Sequence, residues 1–131
     1  MKLLLDTSIF LWYISDYTKL PKKMKDAIMD SNNDVYLSTA SVWEIVIKKS
    51  IQKIELPDNL VSFIEEQRIL HKINSLPVKE QDLVHIESMP YLHKDTFDRL
   101  LISQSIANNL TFMTRDKIIK KYCKVFDFYI F

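Results

Sequence analysis

The sequence opens with Met-Lys-Leu-Leu-Leu-Asp-Thr-Ser over residues 1–8, and this stretch decides the fold prediction. Three consecutive leucines predict a short strand that is buried on both faces and ends where the acid and the two hydroxyl residues follow. Ligands of open α/β sheets bind outside the carboxyl ends of the strands. Asp6 is therefore the first candidate functional residue, although an aspartate at this position can equally cap the helix that follows it.

Strands and helices alternate along the rest of the chain. We predict further strands at residues 34–38, 73–78, 110–114 and 124–131. We predict helices at residues 7–13, 20–30, 40–50, 57–71, 80–89, 96–109 and 117–122. Because strands connected through helices pair in parallel, the alternation predicts an α/β fold with a mainly parallel central sheet surrounded by helices. The length of 131 residues fits one domain over residues 1–131.

The apolar pattern also predicts which side chains fill the core. The helix at residues 40–50 is apolar around most of its circumference, so we expect it to be deeply packed. Aromatic residues at helical spacing are more often core than ligand platforms. Further expected core residues are Trp12, Tyr13, Trp43, Leu60, Phe63, Ile64, Ile69 and Cys123.

The composition excludes several classes of protein. Hydrophobic residues make up 47% and charged residues 27% of the chain, as in an ordinary globular domain without a membrane span. Without glycine, the chain cannot contain a P-loop, a Gly-rich dinucleotide turn or a Gly-x-Ser-x-Gly nucleophile elbow. Asp6 interrupts the apolar N-terminal run, so we do not interpret that run as a signal peptide. The single cysteine cannot form an internal disulfide, which fits a reducing cytoplasm.

The charge balance is compatible with a nucleic acid partner but does not demand one. The net charge is +1, and if four of the 17 acidic residues bound a metal ion, 13 would remain against 18 basic residues. The remaining surface would then attract a polyanion. Four lysines at positions 19, 22, 23 and 25 form either a solvated helix face or a phosphate-attracting rim.

Acidic residues recur at the junctions between predicted strands and helices. After Asp6, the pair Asp95 and Asp98 and then Asp116 occupy such junctions. A parallel sheet gathers these junctions along one edge, so the acids can be neighbours in space. Each aspartate can instead cap its own helix. Asp98 is not needed as a cap, because Asp95 already stands at that position.

Glu44 is the only acid within the largely apolar helix at residues 40–50. A buried carboxylate without a partner costs several kcal/mol, roughly, unless something compensates its charge. The spacing leaves two interpretations open. Glu44 either pairs with Lys48 four residues later on a solvated strip, or it belongs to a site.

Several carboxylates brought together destabilise the fold unless a cation neutralises them. Hard oxygen ligands suit Mg²⁺ or Mn²⁺, and such a site supports hydrolysis of a phosphodiester by a metal-activated water. Zinc is disfavoured because His71, His85 and His93 lack a His or Cys partner at ligand spacing. His93 is either a weak ligand beside Asp95 or a donor in a loop. A phosphotransfer aspartate of the haloacid-dehalogenase kind is also disfavoured, because Ser8 stands where its second aspartate is needed.

Four motifs in order resemble the PIN domain of VapC-type toxins from bacterial and archaeal toxin–antitoxin pairs. Leu-Leu-Leu-Asp-Thr-Ser at 3–8 resembles the family's opening strand, and Ser-Val-Trp-Glu-Ile at 41–45 resembles its acidic helix. His-Lys-Asp-Thr-Phe-Asp-Arg-Leu-Leu-Ile-Ser-Gln at 93–104 resembles the most distinctive signature of this branch, and Thr-Arg-Asp at 114–116 resembles the last acidic motif. One departure is Thr96, where this branch commonly has proline, which weakens helix initiation slightly and affects no ligand.

The resemblance implies a PIN-like α/β/α sandwich and a Mg²⁺- or Mn²⁺-dependent endoribonuclease that cleaves structured cellular RNA. It also implies a cognate antitoxin protein and a homodimer that can join a larger toxin–antitoxin assembly. Two other interpretations stay open. One is a PIN-like protein that binds RNA or a partner without cleavage, and the other is a PIN nuclease of RNA maturation or decay.

The resemblance also implies roles for individual residues. The predicted metal-binding and catalytic residues are Asp6, Glu44, Asp98 and Asp116. The residues predicted to orient these acids or a bound water are Thr7, Ser8, Asp95 and Thr114. The residues predicted to contact RNA phosphates, or to pair with the acids, are Arg99 and Arg115.

Overall fold

The computed structural model describes residues 1–15, 17–90, 94–124 and 129–131 of the chain. Its strands are β1 (Lys2–Leu5), β2 (Asp34–Ser38), β3 (Asn74–Leu76), β4 (Thr111–Met113) and β5 (Tyr129–Ile130). Its α-helices are α1 (Thr7–Ser15), α2 (Lys22–Met29), α3 (Thr39–Ser50), α4 (Leu60–Leu70), α5 (Val84–Ser88) and α6 (Thr96–Ala107). Short 3₁₀ turns cover Tyr17–Lys19, Glu80–Leu83 and Ile119–Lys124. The predicted α/β class is confirmed.

The strands form one sheet in the order β3-β2-β1-β4-β5, and every described pairing is parallel. β1 lies in the centre, where Leu3 is in register with Val35 of β2 and Thr111 of β4. A central parallel strand is covered on both faces, which explains why its residues are continuously apolar. Leu3, Leu4 and Leu5 have no exposed surface.

Alternation along β1 separates two cores. Leu3 and Leu5 pack with residues of α1 to α4 on one face of the sheet. Leu4 packs with residues of α6, such as Leu101, on the other face. Because successive side chains of a strand point to opposite faces, the helices form layers on both sides of the sheet. The fold is the predicted α/β/α sandwich.

Two packing predictions are wrong because a helix covers the sheet with only one side. On α3, Ala40 and Ile45 are buried, but Trp43 is 61% exposed and packs edge-on against Phe97 of α6, with ring centroids 5.1 Å apart. The helix is therefore not deeply packed all round. On α4, Ile69 is 64% exposed. It follows the buried Ile64 by five residues, which at about 100° per residue places it well away from the inward side.

Several predicted elements are shorter than expected. The predicted helix at residues 80–89 is a 3₁₀ turn followed by the short α5. The predicted helix at residues 117–122 is not an α-helix, because Ile118 N donates to the Asp116 side chain and the chain continues as a 3₁₀ turn. The predicted strand at 124–131 contains β5, while residues 125–128 lie outside the described part. No helix in the described ranges is long and apolar enough to cross a membrane.

Candidate active site

A cavity of about 380 Å³ lies where the carboxyl ends of the central strands meet the starts of the following helices. Asp6 follows β1, Asp116 follows β4 after two residues, and the helices α3 and α6 each contribute acids. The structure thus brings together all four predicted metal-binding acids. The residues that line the cavity are Asp6, Thr7, Ser8, Trp12, Glu44, Lys48, Asp95, Asp98, Arg115 and Asp116.

Asp6 is fixed in place by the neighbouring strand. Its backbone N donates to Met113 O at 2.9 Å, and its side-chain Oδ2 accepts from the Thr114 hydroxyl at 2.7 Å. The residue is only 6% exposed. Burial raises the pKa of Asp6 to about 6, although hydrogen bonds from Thr114 and from the Thr7 backbone oppose the shift.

Thr114 joins two of the acids. While its hydroxyl donates to Asp6, the same oxygen accepts from Asp116 N at 3.0 Å. Thr114 has no exposed surface. Asp116 in turn accepts at Oδ1 from Ile118 N at 2.8 Å, so it stabilises a turn in place of the α-helix that was expected to follow it. Thr114 thus links Asp6 to Asp116 through two hydrogen bonds.

Asp95 caps α6 and thereby positions Asp98. Asp95 Oδ1 accepts from Asp98 N at 3.1 Å, as the sequence predicted for a cap at this position. Both side chains line the cavity. The pKa of Asp98 is raised to about 8, chiefly by burial and then by the negative charges of Asp6 and the other nearby acids.

Glu44 lines the cavity and pairs with Lys48, but it is buried, so the interpretation that placed this pair on a solvated strip is wrong. Glu44 Oε2 lies 2.8 Å from Lys48 Nζ, and the Glu44 side chain is 6% exposed. Its other oxygen, Oε1, is buried and has no hydrogen-bond partner among the described residues. Burial opposes the charge of Lys48, but the hydrogen bond and charge of Glu44 outweigh it, so the pKa of Lys48 is raised.

The two hydroxyl residues after Asp6 both line the cavity, and one of them also connects two helices. Ser8 and Thr7 both line the cavity, and the buried Thr7 Oγ1 donates to Ser41 Oγ at 2.9 Å. This bond connects α1 to α3 beside Asp6 and Glu44. Sequence reasoning missed Ser41, although its position three residues before Glu44 places it on the same side of α3.

The two predicted RNA-contacting arginines lie in different surroundings. Arg115 is exposed, lines the cavity, donates to Lys19 O at 3.0 Å and stands over the Trp12 ring at 5.8 Å from its centroid. Arg99 is buried, donates to Pro90 O at 3.2 Å and does not line the cavity. The position of Arg99 therefore gives no support to an RNA contact. His93 lies outside the described residues.

The donor set of the cavity fits a hard divalent cation. Among the described residues, its lining contains carboxylates and hydroxyls but no histidine or cysteine, which favours Mg²⁺ or Mn²⁺ over zinc. Glu44 Oε1, which has no hydrogen-bond partner within the described ranges, is an oxygen donor that such a cation could use. In the described part of the chain, no three His, Cys, Asp or Glu side chains already form a group that could hold a metal ion.

Comparisons with known proteins agree with this architecture. A sequence model of the PIN domain family matches residues 3–125. No curated protein sequence matches the chain. Solved structures with a similar fold include the following three. The first, from VapBC2 of Rickettsia felis bound to a DNA fragment from their promoter, is 16% identical with a TM-score of 0.72, over 100% of this chain and 98% of that chain.

The second is from VapBC-1 of nontypeable Haemophilus influenzae, 17% identical with a TM-score of 0.67, over 100% of this chain and 97% of that chain. The third is from FitAcB of Neisseria gonorrhoeae, 20% identical with a TM-score of 0.66, over 98% of this chain and 96% of that chain. Likeness at such low identity concerns the fold alone. Because the family match spans nearly the whole sequence, the chain belongs to the PIN domain family.

Proposed function

We propose that this PIN domain is a metal-dependent endoribonuclease that acts as the toxin of a toxin–antitoxin pair. The observation that carries the nuclease proposal is the meeting of Asp6, Glu44, Asp98 and Asp116 in one cavity. These acids come from four separate places in the sequence, and capping explains neither Glu44 nor Asp98. Carboxylates crowded together in this way favour a bound cation.

When bound, Mg²⁺ or Mn²⁺ polarises a phosphoryl oxygen and activates a water as the nucleophile. The four acids would hold the cation. Thr114 orients Asp6 and Asp116 through its two hydrogen bonds. Arg115 and Trp12 stand at the same cavity and supply a phosphate contact and an aromatic surface for an RNA strand.

The toxin assignment draws its support from the motifs and from the structural neighbours. The structural neighbours are chains of VapBC2, VapBC-1 and FitAcB, and this chain covers nearly all of the matched chain in each case. By this proposal the chain pairs with a cognate antitoxin, forms a homodimer and acts in the cytoplasm. Light scattering of the purified chain tests the dimer, for which we expect twice the monomer mass of 15.6 kDa.

Cleavage of a panel of structured cellular RNAs tests the nuclease proposal. We expect cleavage with Mg²⁺ or Mn²⁺, none with EDTA, and a loss of about a hundredfold or more in Asp98→Asn and Glu44→Gln. Asp58→Asn is the matched control, because Asp58 is fully exposed and lies outside the cavity. Tight RNA binding by the wild type without cleavage would instead favour the RNA-binding interpretation.

Growth assays test the toxin proposal separately. Expression of the wild-type chain alone should arrest growth, and co-expression of a small protein from the neighbouring gene should relieve the arrest. Asp6→Asn should abolish the arrest at equal protein level. RNA cleavage in vitro without any growth arrest would favour a nuclease of RNA maturation or decay.

A further inference from the structure

Lys48 brings a cation of the protein's own into the acidic cavity. It lines the cavity and lies one helical turn after Glu44 on α3, with its Nζ 2.8 Å from Glu44 Oε2. The Lys48 side chain is 40% exposed, whereas that of Glu44 is 6% exposed. The ammonium therefore reaches a buried carboxylate from the side of the solvent.

This pair differs from an ordinary surface pair at the same spacing. Exposed Glu–Lys pairs four residues apart contribute only a few tenths of a kcal/mol, roughly, because solvent screens both charges. Here the carboxylate is buried, and its second oxygen has no hydrogen-bond partner among the described residues. The charges of Asp95 and Asp98 also attract the same ammonium. Lys48 therefore offsets a surplus of negative charge that extends beyond one partner.

Resting on the proposed function, we infer that Lys48 is an internal counterion that holds Glu44 in the metal-free protein and competes with a divalent cation for its negative charge. The ammonium lies on Glu44 Oε2, and it repels a divalent cation that approaches either oxygen of the same carboxylate. Lys48 is a positioning residue in this scheme. It keeps the acids of the cavity in place before the metal arrives and lowers the affinity of the site for metal.

Binding of Mn²⁺ alone and Mg²⁺ alone, measured by calorimetry without RNA, tests the inference. We expect Lys48→Gln to bind either cation about tenfold more tightly than the wild type, since a partly buried competing charge is removed. Thermal unfolding gives the second measurement. The variant should have a lower Tm than the wild type without metal and nearly the same Tm with saturating metal, whereas a merely structural residue would lower both.

Three variants separate the effect of the Lys48–Glu44 contact on metal affinity from the effect of removing any positive charge near the cavity. Lys49→Gln removes the same charge from the adjacent residue, which pairs with Asp58 at 3.1 Å outside the cavity, and it should change the affinity far less. Lys48→Arg keeps the charge and pairs more firmly with a carboxylate, so its affinity should be no higher than that of the wild type. In a Glu44→Gln background, Lys48→Gln should raise the affinity less than it does in the wild type, because only the attraction to Asp95 and Asp98 is then removed.

The outcomes distinguish this inference from the proposed function. If the wild type binds Mn²⁺ and Lys48→Gln resembles Lys49→Gln, the inference is overturned and the metal-dependent function stands. If neither the wild type nor Lys48→Gln binds either cation, both are overturned. If Lys48→Gln fails to fold without metal but folds with it, or if Lys48→Arg binds metal more weakly than the wild type, the inference is supported.

Discussion

Asp82 and Glu44 are both buried carboxylates, 3% and 5% exposed, but their surroundings are opposite. Asp82 accepts from three groups, namely Lys79 N at 2.9 Å, Gln104 Nε2 at 3.4 Å and Asn108 Nδ2 at 3.0 Å. Glu44 has one ammonium on one oxygen and no hydrogen-bond partner on the other within the described residues. The residues that line the cavity with Glu44 include four further acids, namely Asp6, Asp95, Asp98 and Asp116.

The difference separates a carboxylate that serves the fold from one that is available to a ligand. Neutral donors compensate the charge of Asp82 and attach the turn at Glu80–Leu83 to α6. Among the described residues there, the buried side-chain atom without a hydrogen-bond partner is an uncharged amide oxygen, Gln104 Oε1. In the cavity the uncompensated group is a carboxylate oxygen beside other carboxylates, which a cation can stabilise. Burial alone would not distinguish the two regions.

Replacing an aspartate by asparagine should destabilise the protein at Asp82 but stabilise the metal-free protein at Asp98 in the cavity. The larger effect is expected at Asp82. Asp82→Asn places an amide NH₂ against groups that donate hydrogen bonds, so at least one buried donor loses its acceptor. We expect a loss of about 2–3 kcal/mol in the free energy of unfolding, measured by urea denaturation. Asp58→Asn on the exposed surface should stay within about 0.5 kcal/mol of the wild type. An unchanged stability in Asp82→Asn would show that the three hydrogen bonds contribute nothing.

The metal-free protein should lose stability as the pH rises from about 4 to 8. The pKa of Asp98 is raised to about 8 and that of Asp6 to about 6, so the folded chain holds protons that the unfolded chain releases near pH 4. The folded state is therefore favoured at low pH, and this contribution disappears as the pH passes through the folded-state pKa values. After allowance for solvent screening at the partly exposed Asp98, we expect a change of about 1–2 kcal/mol. Denaturation in EDTA across this pH range measures it.

Asp98→Asn provides the matched test of that cause. The variant cannot ionise at this position, so its stability in EDTA should vary less with pH and should exceed that of the wild type near pH 8. Adding Mg²⁺ should reverse the order, because the cation stabilises the wild type by mass action and the variant less. A wild-type profile that rises with pH in EDTA would contradict the assigned burial and repulsion.

The sequence predicted the cavity better than it predicted the surroundings of its acids. A central strand must be apolar throughout, so Leu-Leu-Leu marked β1 and therefore the position of Asp6. A lone acid in an apolar helix marked Glu44. Both signals are local, since they depend on a few adjacent residues and on the direction in which parallel strands end.

The features that sequence reasoning missed depend on distant pairs of residues. Asp82 looks like a surface acid in a polar turn, and its burial requires Gln104 and Asn108, which lie 22 and 26 residues later. Trp43 was predicted to be a core residue, but it is mostly exposed and packs edge-on against Phe97 of α6. The apolar content of a helix predicts that it packs against the rest of the protein but does not predict which of its sides is buried. Arg99 is likewise buried, because it lies in the first turn of α6 and donates to Pro90 O, nine residues earlier.

The smallest expected effect concerns Asp6, the acid of the cavity that most resembles Asp82. Thr114 gives Asp6 its one described side-chain donor, at 2.7 Å. Thr114→Val keeps the shape and removes this donor, so Asp6 should become more like Glu44. We expect a loss of about 1 kcal/mol in stability near neutral pH and a further rise in the pKa of Asp6. Thr111→Val on β4, the strand that ends just before Thr114, is the control, because Thr111 is only half-buried and valine suits a strand. If Thr114→Val and Thr111→Val are equally stable, the hydrogen bond from Thr114 does not stabilise Asp6. Of the buried carboxylates discussed, Asp82 would then be the one that hydrogen bonds stabilise.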